Sequence, residues 1–118
     1  MSQTIFIEYP KCTTCQKAKK WLQERDIAFE DRHIKENKPT LDELKQWHAK
    51  SGLPLKRFFN TSGMLYKEMK LKDRLPNMTD EEMYQLLATD GMLVKRPILI
   101  TPKGITTGFK ESEWEQLI

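Results

Sequence analysis

A chain of 118 residues is long enough for one domain with one hydrophobic core and too short for two. Hydrophobic residues make up 38% of it, three Trp and five Phe supply large areas for burial, and no apolar run approaches the roughly 20 residues that span a bilayer. The net charge of +3 does not by itself indicate nucleic-acid binding, and Met1-Ser2-Gln3 shows no basic n-region or apolar h-region of a signal peptide, which points to the cytosol, where thiols stay reduced.

Thr4 to Tyr9 reads as a buried strand, and Gln16 to Arg25 as a helix whose buried stripe is Ala18, Trp21 and Leu22 at i, i+3 and i+4. Lys17, Lys19 and Lys20 read as a solvated helix face. Ile27 to Ile34 is a second strand candidate with weak alternation, and Lys35 to Pro39 is a polar loop. Thr40-Leu41-Asp42-Glu43 is a capping box that opens a helix with Leu41, Leu44 and Trp47 on its apolar face, ending near Ser51-Gly52. Pro54 suits the first turn of a short helix carrying Leu55, Phe58 and Phe59. Phe58-Phe59 reads as core, with a partner surface as the alternative. Asn60 to Gly63 is a turn, and Leu65, Tyr66 and Met69 mark a further short helix. Thr79-Asp80-Glu81-Glu82 is a second capping box, opening a helix with Met83, Leu86 and Leu87 that stops at Asp90-Gly91. Arg96 to Ile100 and Ile105 to Phe109 form an antiparallel hairpin around Pro102-Lys103-Gly104, and Trp114, Leu117 and Ile118 lie on a closing helix. The order βαβ, four or five helices, then ββα predicts an α/β fold with four strands and helices on both sides.

The only two cysteines, Cys12 and Cys15, stand between the first strand and the first helix. A Cys-x-x-Cys at a strand-to-helix turn is the sequence form of a dithiol redox centre. The helix start offers free backbone N–H groups that favour a thiolate, which is the nucleophilic form. Cys12, nearest the helix start, is the expected attacking thiol, with Lys11 and Arg96 as cations able to lower its pKa. Cys15, one turn inside, is the expected resolving thiol. Two alternatives remain at this point. The pair could be inert, or half of a zinc site, for which only His33 and His48 are left as further ligands and neither shows ligand spacing. Both histidines otherwise read as structural or exposed. Arg96 is either a surface cation or an anion-binding group. Pro97 stands at the start of a strand, and from the residues alone its peptide bond reads as trans.

Four segments together resemble the arsenate reductase (ArsC)/Spx family over essentially the whole length: Tyr9-Pro10-Lys11-Cys12-Thr13-Thr14-Cys15, Phe59-Asn60-Thr61-Ser62-Gly63, Leu71-Lys72-Asp73-Arg74-Leu75 and Lys95-Arg96-Pro97-Ile98. The resemblance implies a thioredoxin-like fold: a four-stranded mixed sheet, with residues 1–34 and 95–118 as the core of a single domain and residues 35–94 as mostly helical insertion. It implies that Cys12 is the nucleophile, that Arg96 precedes a cis-proline, Pro97, and that Pro97 faces the reactive cysteine. Glutaredoxin-coupled arsenate reductases hold their oxyanion with two further arginines; the corresponding positions here are Asn60 and Lys110, which donate hydrogen bonds but lack the planar guanidinium fork. Those enzymes also usually lack the second cysteine, whereas Spx-type regulators have both Cys-x-x-Cys and Arg-Pro and bind the C-terminal domain of the RNA polymerase α subunit. Asn60-Thr61-Ser62-Gly63 is closer to the reductase-like branch.

The resulting expectation is a monomeric cytoplasmic thiol–disulfide oxidoreductase that turns over through Cys12 and Cys15, with Lys11, Asn60, Arg96, Pro97 and Lys110 around its substrate. It needs no metal or organic cofactor, and its partner is a thiol reductant such as glutathione, glutaredoxin or thioredoxin. Neither nucleic acid nor a membrane is an expected partner. The rival expectation is an Spx-like redox-sensing regulator that contacts RNA polymerase through a surface around Gly52 to Arg57.

Overall fold

The alternation of apolar side chains along the strands decides what each layer of the molecule contains. A computed structural model describes residues 4–118. Met1, Ser2 and Gln3, where no leader is expected, lie outside the described residues. Strand β1 (Ile5–Glu8) is followed by helix α1 (Thr13–Glu24) and strand β2 (Glu30–His33). Next come α2 (Leu41–Ser51), a 3₁₀ turn over Leu55–Phe58, α3 (Met64–Glu68), α4 (Leu71–Arg74) and α5 (Asp80–Thr89), with further 3₁₀ turns at Leu75–Asn77 and Gly91–Leu93. The hairpin β3 (Ile98–Thr101) and β4 (Gly104–Thr107) leads into α6 (Glu111–Leu117).

The strands lie in the order β2-β1-β3-β4. β1 runs parallel to β2 and antiparallel to β3, with Phe6 opposite Leu99 and Ile7 opposite Ile98, and β3 pairs antiparallel with β4. Phe6 and Leu99 therefore point to one face, where they meet Ala18, Trp21, Leu22 and Trp114 of α1 and α6. Ile7, Ile98 and Ile105 point to the other, where they meet Leu44, Phe58, Leu71 and Leu87 of the segment between β2 and β3. This is the mixed four-stranded sheet with a helical insertion that the resemblance implied. Phe58 and Phe59 are both buried in it, so they belong to the core. Both capping boxes form: Thr40 and Glu43 bond each other reciprocally, as do Thr79 and Glu82. Among the described residues no helix is long and apolar enough to cross a membrane.

Several boundaries differ from the sequence reading. Helix α1 begins at Thr13 rather than Gln16, so Cys15 lies within it and Cys12 caps it. The second strand is four residues, not eight: Ile27 and Phe29 pack into the aromatic face, and only the charged edge segment Glu30–His33 pairs. β3 starts after Pro97, and β4 stops at Thr107 because Gly108 takes φ +77°, a left-handed conformation open to glycine. That turn swings Phe109 onto Trp114, and the Gly108 carbonyl accepts the Trp114 indole N–H at 2.9 Å. Helix α4 and the 3₁₀ turns at residues 75–77 and 91–93 carry no clear periodic signal in the sequence. Gly91 does end α5 as expected, yet its role is also one of space: a Cβ there would sit 2.0 Å from the Ile34 carbonyl oxygen.

Candidate active site: a dithiol beside a cationic cavity

The turn from β1 into α1 presents Cys12 by backbone means. The Cys12 amide donates to the Tyr9 carbonyl at 2.9 Å, its carbonyl accepts the Gln16 amide at 3.0 Å, and the Gln16 side chain pins the Pro10 carbonyl at 2.9 Å. Cys12 is the N-cap residue of α1, with φ −84° and ψ 123°. Burial pushes this half-buried thiol up, but the Cys15 and Thr14 amides, the Cys15 thiol and the Arg96 charge outweigh it and hold Cys12 below the ordinary thiol range. Cys15 has the opposite fate. It is fully buried among Phe6, Ala18 and Leu22. Burial, with further push from Cys12 and Glu8 against the Tyr9 amide, drives its thiol up to about 12. Both thiols are free in this structure.

Cys12 opens onto a cavity of about 490 Å³ whose wall includes Arg57, Asn60, Lys95, Arg96 and Lys110. Four of those are cationic, and no Asp or Glu among the described residues lines it. Arg96 donates to the Met92 carbonyl at 3.4 Å, and its guanidinium lies 5.3 Å from the Tyr9 ring centroid. Asn60 is buried; its carbonyl accepts the Gly63 amide at 3.1 Å and its side chain accepts from Ser62 at 3.4 Å. Gly63 is required by this packing, since a Cβ would fall 2.6 Å from the Asn60 amide nitrogen. Lys110 caps α6 and reaches the rim.

Of the residues expected around the substrate, then, Asn60, Arg96 and Lys110 converge on Cys12. Pro97 is buried behind the wall, and the Arg96–Pro97 peptide is cis, as the resemblance implied and the bare sequence did not. Lys11 is exposed and does not line the cavity; the cation that acts on Cys12 is Arg96. Arg57 and Lys95 line the cavity but were not in the expected set. Arg57 donates to the Thr107 carbonyl and to Glu113, each at 3.2 Å, while its own carbonyl accepts from the Thr107 hydroxyl at 2.7 Å. Its place depends on a partner 50 residues away, so no local pattern announces it. Lys95 adjoins Arg96, and that adjacency was the one available signal. The two histidines have their own partners: His48 pairs with the Tyr84 hydroxyl at 2.7 Å, and His33 accepts from the Lys35 and Glu36 amides. No group of three or more His, Cys, Asp or Glu among the described residues is placed to hold a metal ion.

The mixed sheet, with the cysteine pair at its first strand-to-helix turn, is the thioredoxin-like fold that the resemblance implied. The chain belongs to the ArsC family, whose sequence profile matches residues 7–117. It is 51% identical to YusI of Bacillus subtilis (strain 168) over 94% of each chain. The global transcriptional regulator Spx of Staphylococcus aureus (strain N315) is 32% identical over 93% of this chain and 82% of its own. The crystal structure of an ArsC family related protein from Bacteroides fragilis superposes with a TM-score of 0.95 at 55% identity, covering 98% of both chains.

Proposed function

We propose that the protein is a cytoplasmic thiol–disulfide oxidoreductase that works through Cys12 and Cys15 without a metal or organic cofactor. The observation that carries this reading is the split between the two thiols: Cys12 is half-buried, lowered and open to a cationic cavity, whereas Cys15 is buried and raised to about 12. Such a split separates attack from resolution. The Cys12 thiolate attacks a disulfide sulfur, forming a mixed disulfide and releasing one thiolate. Cys15 attacks Cys12, the Cys12–Cys15 bond forms, and the second thiolate leaves. A cellular thiol of the glutathione, glutaredoxin or thioredoxin class restores the dithiol. Arg57, Lys95, Arg96 and Lys110 favour an anionic substrate. Arsenate is a poor fit, because Asn60 and Lys110 do not supply planar forks for an oxyanion.

The test is to capture partners with Cys15→Ser. This variant should accumulate mixed disulfides on Cys12 that reductant releases, and Cys12→Ser should capture none. Equal capture by both variants would refute the assignment. Arsenate-dependent NADPH oxidation, coupled through glutaredoxin or thioredoxin, should stay near background.

A second reading rests on one specific observation. Gly52, Pro54 and Lys56 are exposed, and an apolar hollow lined by Pro54, Lys56 and Phe59 joins the cavity of Cys12 through Arg57 and Lys95. In that reading the same dithiol switches a protein contact on this surface, as the kinship with Spx favours, and the partner is RNA polymerase through its α subunit. Diamide-dependent binding of the isolated α C-terminal domain would separate it from the enzyme reading.

A further inference from the structure

Two concavities meet at Lys95. One is the cavity of Cys12. The other is the apolar hollow of about 370 Å³ lined by Pro54, Lys56, Phe59 and Thr61, and Arg57 and Lys95 stand in the wall of both. The backbone holds this wall in place. The Lys95 amide donates to the Phe58 carbonyl and the Asn60 amide to the Leu93 carbonyl, each at 2.8 Å, with Phe59 bridged to Val94 between them. The Lys95 stem crosses Gly108, where a Cβ would come within 3.3 Å of its Cε. Arg57 is already paired with Glu113 at 3.2 Å, whereas Lys95 has no carboxylate partner among the described residues. Directly after Ser62 and Gly63 of the cavity wall stands Met64, 76% exposed. A small anionic thiol would use the cations and leave the hollow and Met64 uncovered.

We propose that the substrate is a disulfide on a polypeptide, with an acidic and an apolar residue close to its cysteine, and that Lys95 selects it. The inference rests on the dithiol reading and names its substrate class. While Cys12 attacks the substrate sulfur, the acidic side chain meets the Lys95 ammonium on the shared wall and the apolar side chain enters the hollow. Met64 offers a second apolar contact at the rim. Neighbouring residues of an extended chain lie about 3.5 Å apart and point to alternate sides, so one short segment reaches both concavities. The apolar side chain contributes through the area it removes from water. Lys95 contributes a charge that no protein carboxylate has already answered. Glutathione offers carboxylates but no apolar side chain, so it fills half of this surface at most. The hollow is formed by residues of the insertion and by Lys95. Selection is thus supplied from outside the strand, turn and helix that carry the dithiol.

Short peptides carrying thionitrobenzoate on their cysteine test this with the full chain as Cys15→Ser, in which only the first step remains. The Cys12 thiolate attacks the peptide sulfur, the Cys12–peptide disulfide forms, and thionitrobenzoate leaves with the electron pair and is read by its colour. Symmetric segments present the same side chains in either chain direction. Second-order rate constants are compared for Leu-Glu-Cys-Glu-Leu, Leu-Gln-Cys-Gln-Leu, Ser-Glu-Cys-Glu-Ser and glutathione, each with the same leaving group. The first should react about fivefold faster than any of the others. Added Lys95→Gln should abolish the preference for Glu over Gln and keep that for Leu over Ser. Thr61→Trp, which fills the hollow, should do the reverse, and salt should shrink the Glu preference alone. Equal rates for all four, or glutathione as the fastest, would overturn the proposal, as would a Glu preference that survives Lys95→Gln. The four rates decide it even if neither added variant folds. Release from Cys12→Ser as fast as from Cys15→Ser is a different result: it removes Cys12 as the attacking thiol, and the dithiol reading with it.

Discussion

The two faces of the sheet are made differently. On one, α1 and α6 pack an aromatic cluster in which Trp114 meets Phe6, Trp21 and Phe109 edge-on at ring-centroid distances of 6.1, 5.7 and 4.9 Å. On the other, the insertion covers Ile7, Ile98 and Ile105 with a mixed set of side chains, Leu44, Leu71 and Leu87 beside Trp47, Phe58, Phe59 and Tyr66. The dithiol sits on the first face, in a stiff unit of strand, turn and helix. The insertion beyond the sheet adds Arg57 and Asn60 to its cavity, and the segments flanking the hairpin add Arg96 and Lys110. The nucleophile is thus a local construction and its electrostatic surroundings are a distant one. Changes to either face should therefore separate stability from reactivity.

The largest effect should come from the aromatic face. Trp114→Ala removes the centre of the cluster and leaves the Gly108 carbonyl without its indole donor. A loss of about 3–5 kcal/mol in urea unfolding is expected, and the difference in alkylation rate between Cys12 and Cys15 should shrink as Cys15 becomes accessible. If the variant matched wild type in both measurements, the two faces would not differ as described.

The insertion face is tied to β2 by Arg32, which meets both oxygens of Glu43 at 2.7 and 2.8 Å. The Arg32 guanidinium, with the Thr40 cap, overcomes burial and holds Glu43 down at about 2. A depressed carboxyl contributes stability above its unfolded value, and that contribution is lost as pH falls through its folded value. Glu43→Gln should therefore cost about 1–2 kcal/mol at neutral pH after allowance for solvent screening. The difference from wild type should close between about pH 4.5 and 2. A pH-independent difference would count against the ion pair as its source.

The smallest expected effect is the most specific to the site. Arg96 acts on the Cys12 sulfur, whereas Arg57 is engaged by Thr107 and Glu113 at the far wall. Arg96→Ala should slow Cys12 alkylation at neutral pH by up to about fivefold, the worth of about 1 kcal/mol of screened charge. Arg57→Ala should leave that rate alone and weaken substrate capture instead. Identical alkylation profiles for the two variants would place both arginines in the same role.

Much of this arrangement was legible in the sequence. Alternation in Ile5-Phe6-Ile7 and the stripe of Ala18, Trp21 and Leu22 specify a strand and a helix, and the two capping boxes mark helix starts, because each signal is a contact within a few residues. The order of the two cysteines relative to the helix start is equally local. Other features were not legible. The charged segment Glu30–His33 pairs because β1 lies beside it, and β4 ends at Gly108 so that Phe109 can reach Trp114. Lys11 stands next to Cys12 in the chain but turns away from the cavity, while Arg57 is remote in sequence and lines it.

The sequence by itself determined the dithiol, the helix that begins beside it, and the alternation that sorts residues between two layers. These depend on backbone dihedrals and side-chain spacing over one or two turns. Only the tertiary structure decided that Arg57 and Lys95 would join Arg96 in the cavity of Cys12, and that Glu8 would be shut in with Lys19 and Asp31. Those outcomes depend on burial and on charges brought together from distant segments, and a pKa follows the field at the folded site rather than the neighbours in the chain.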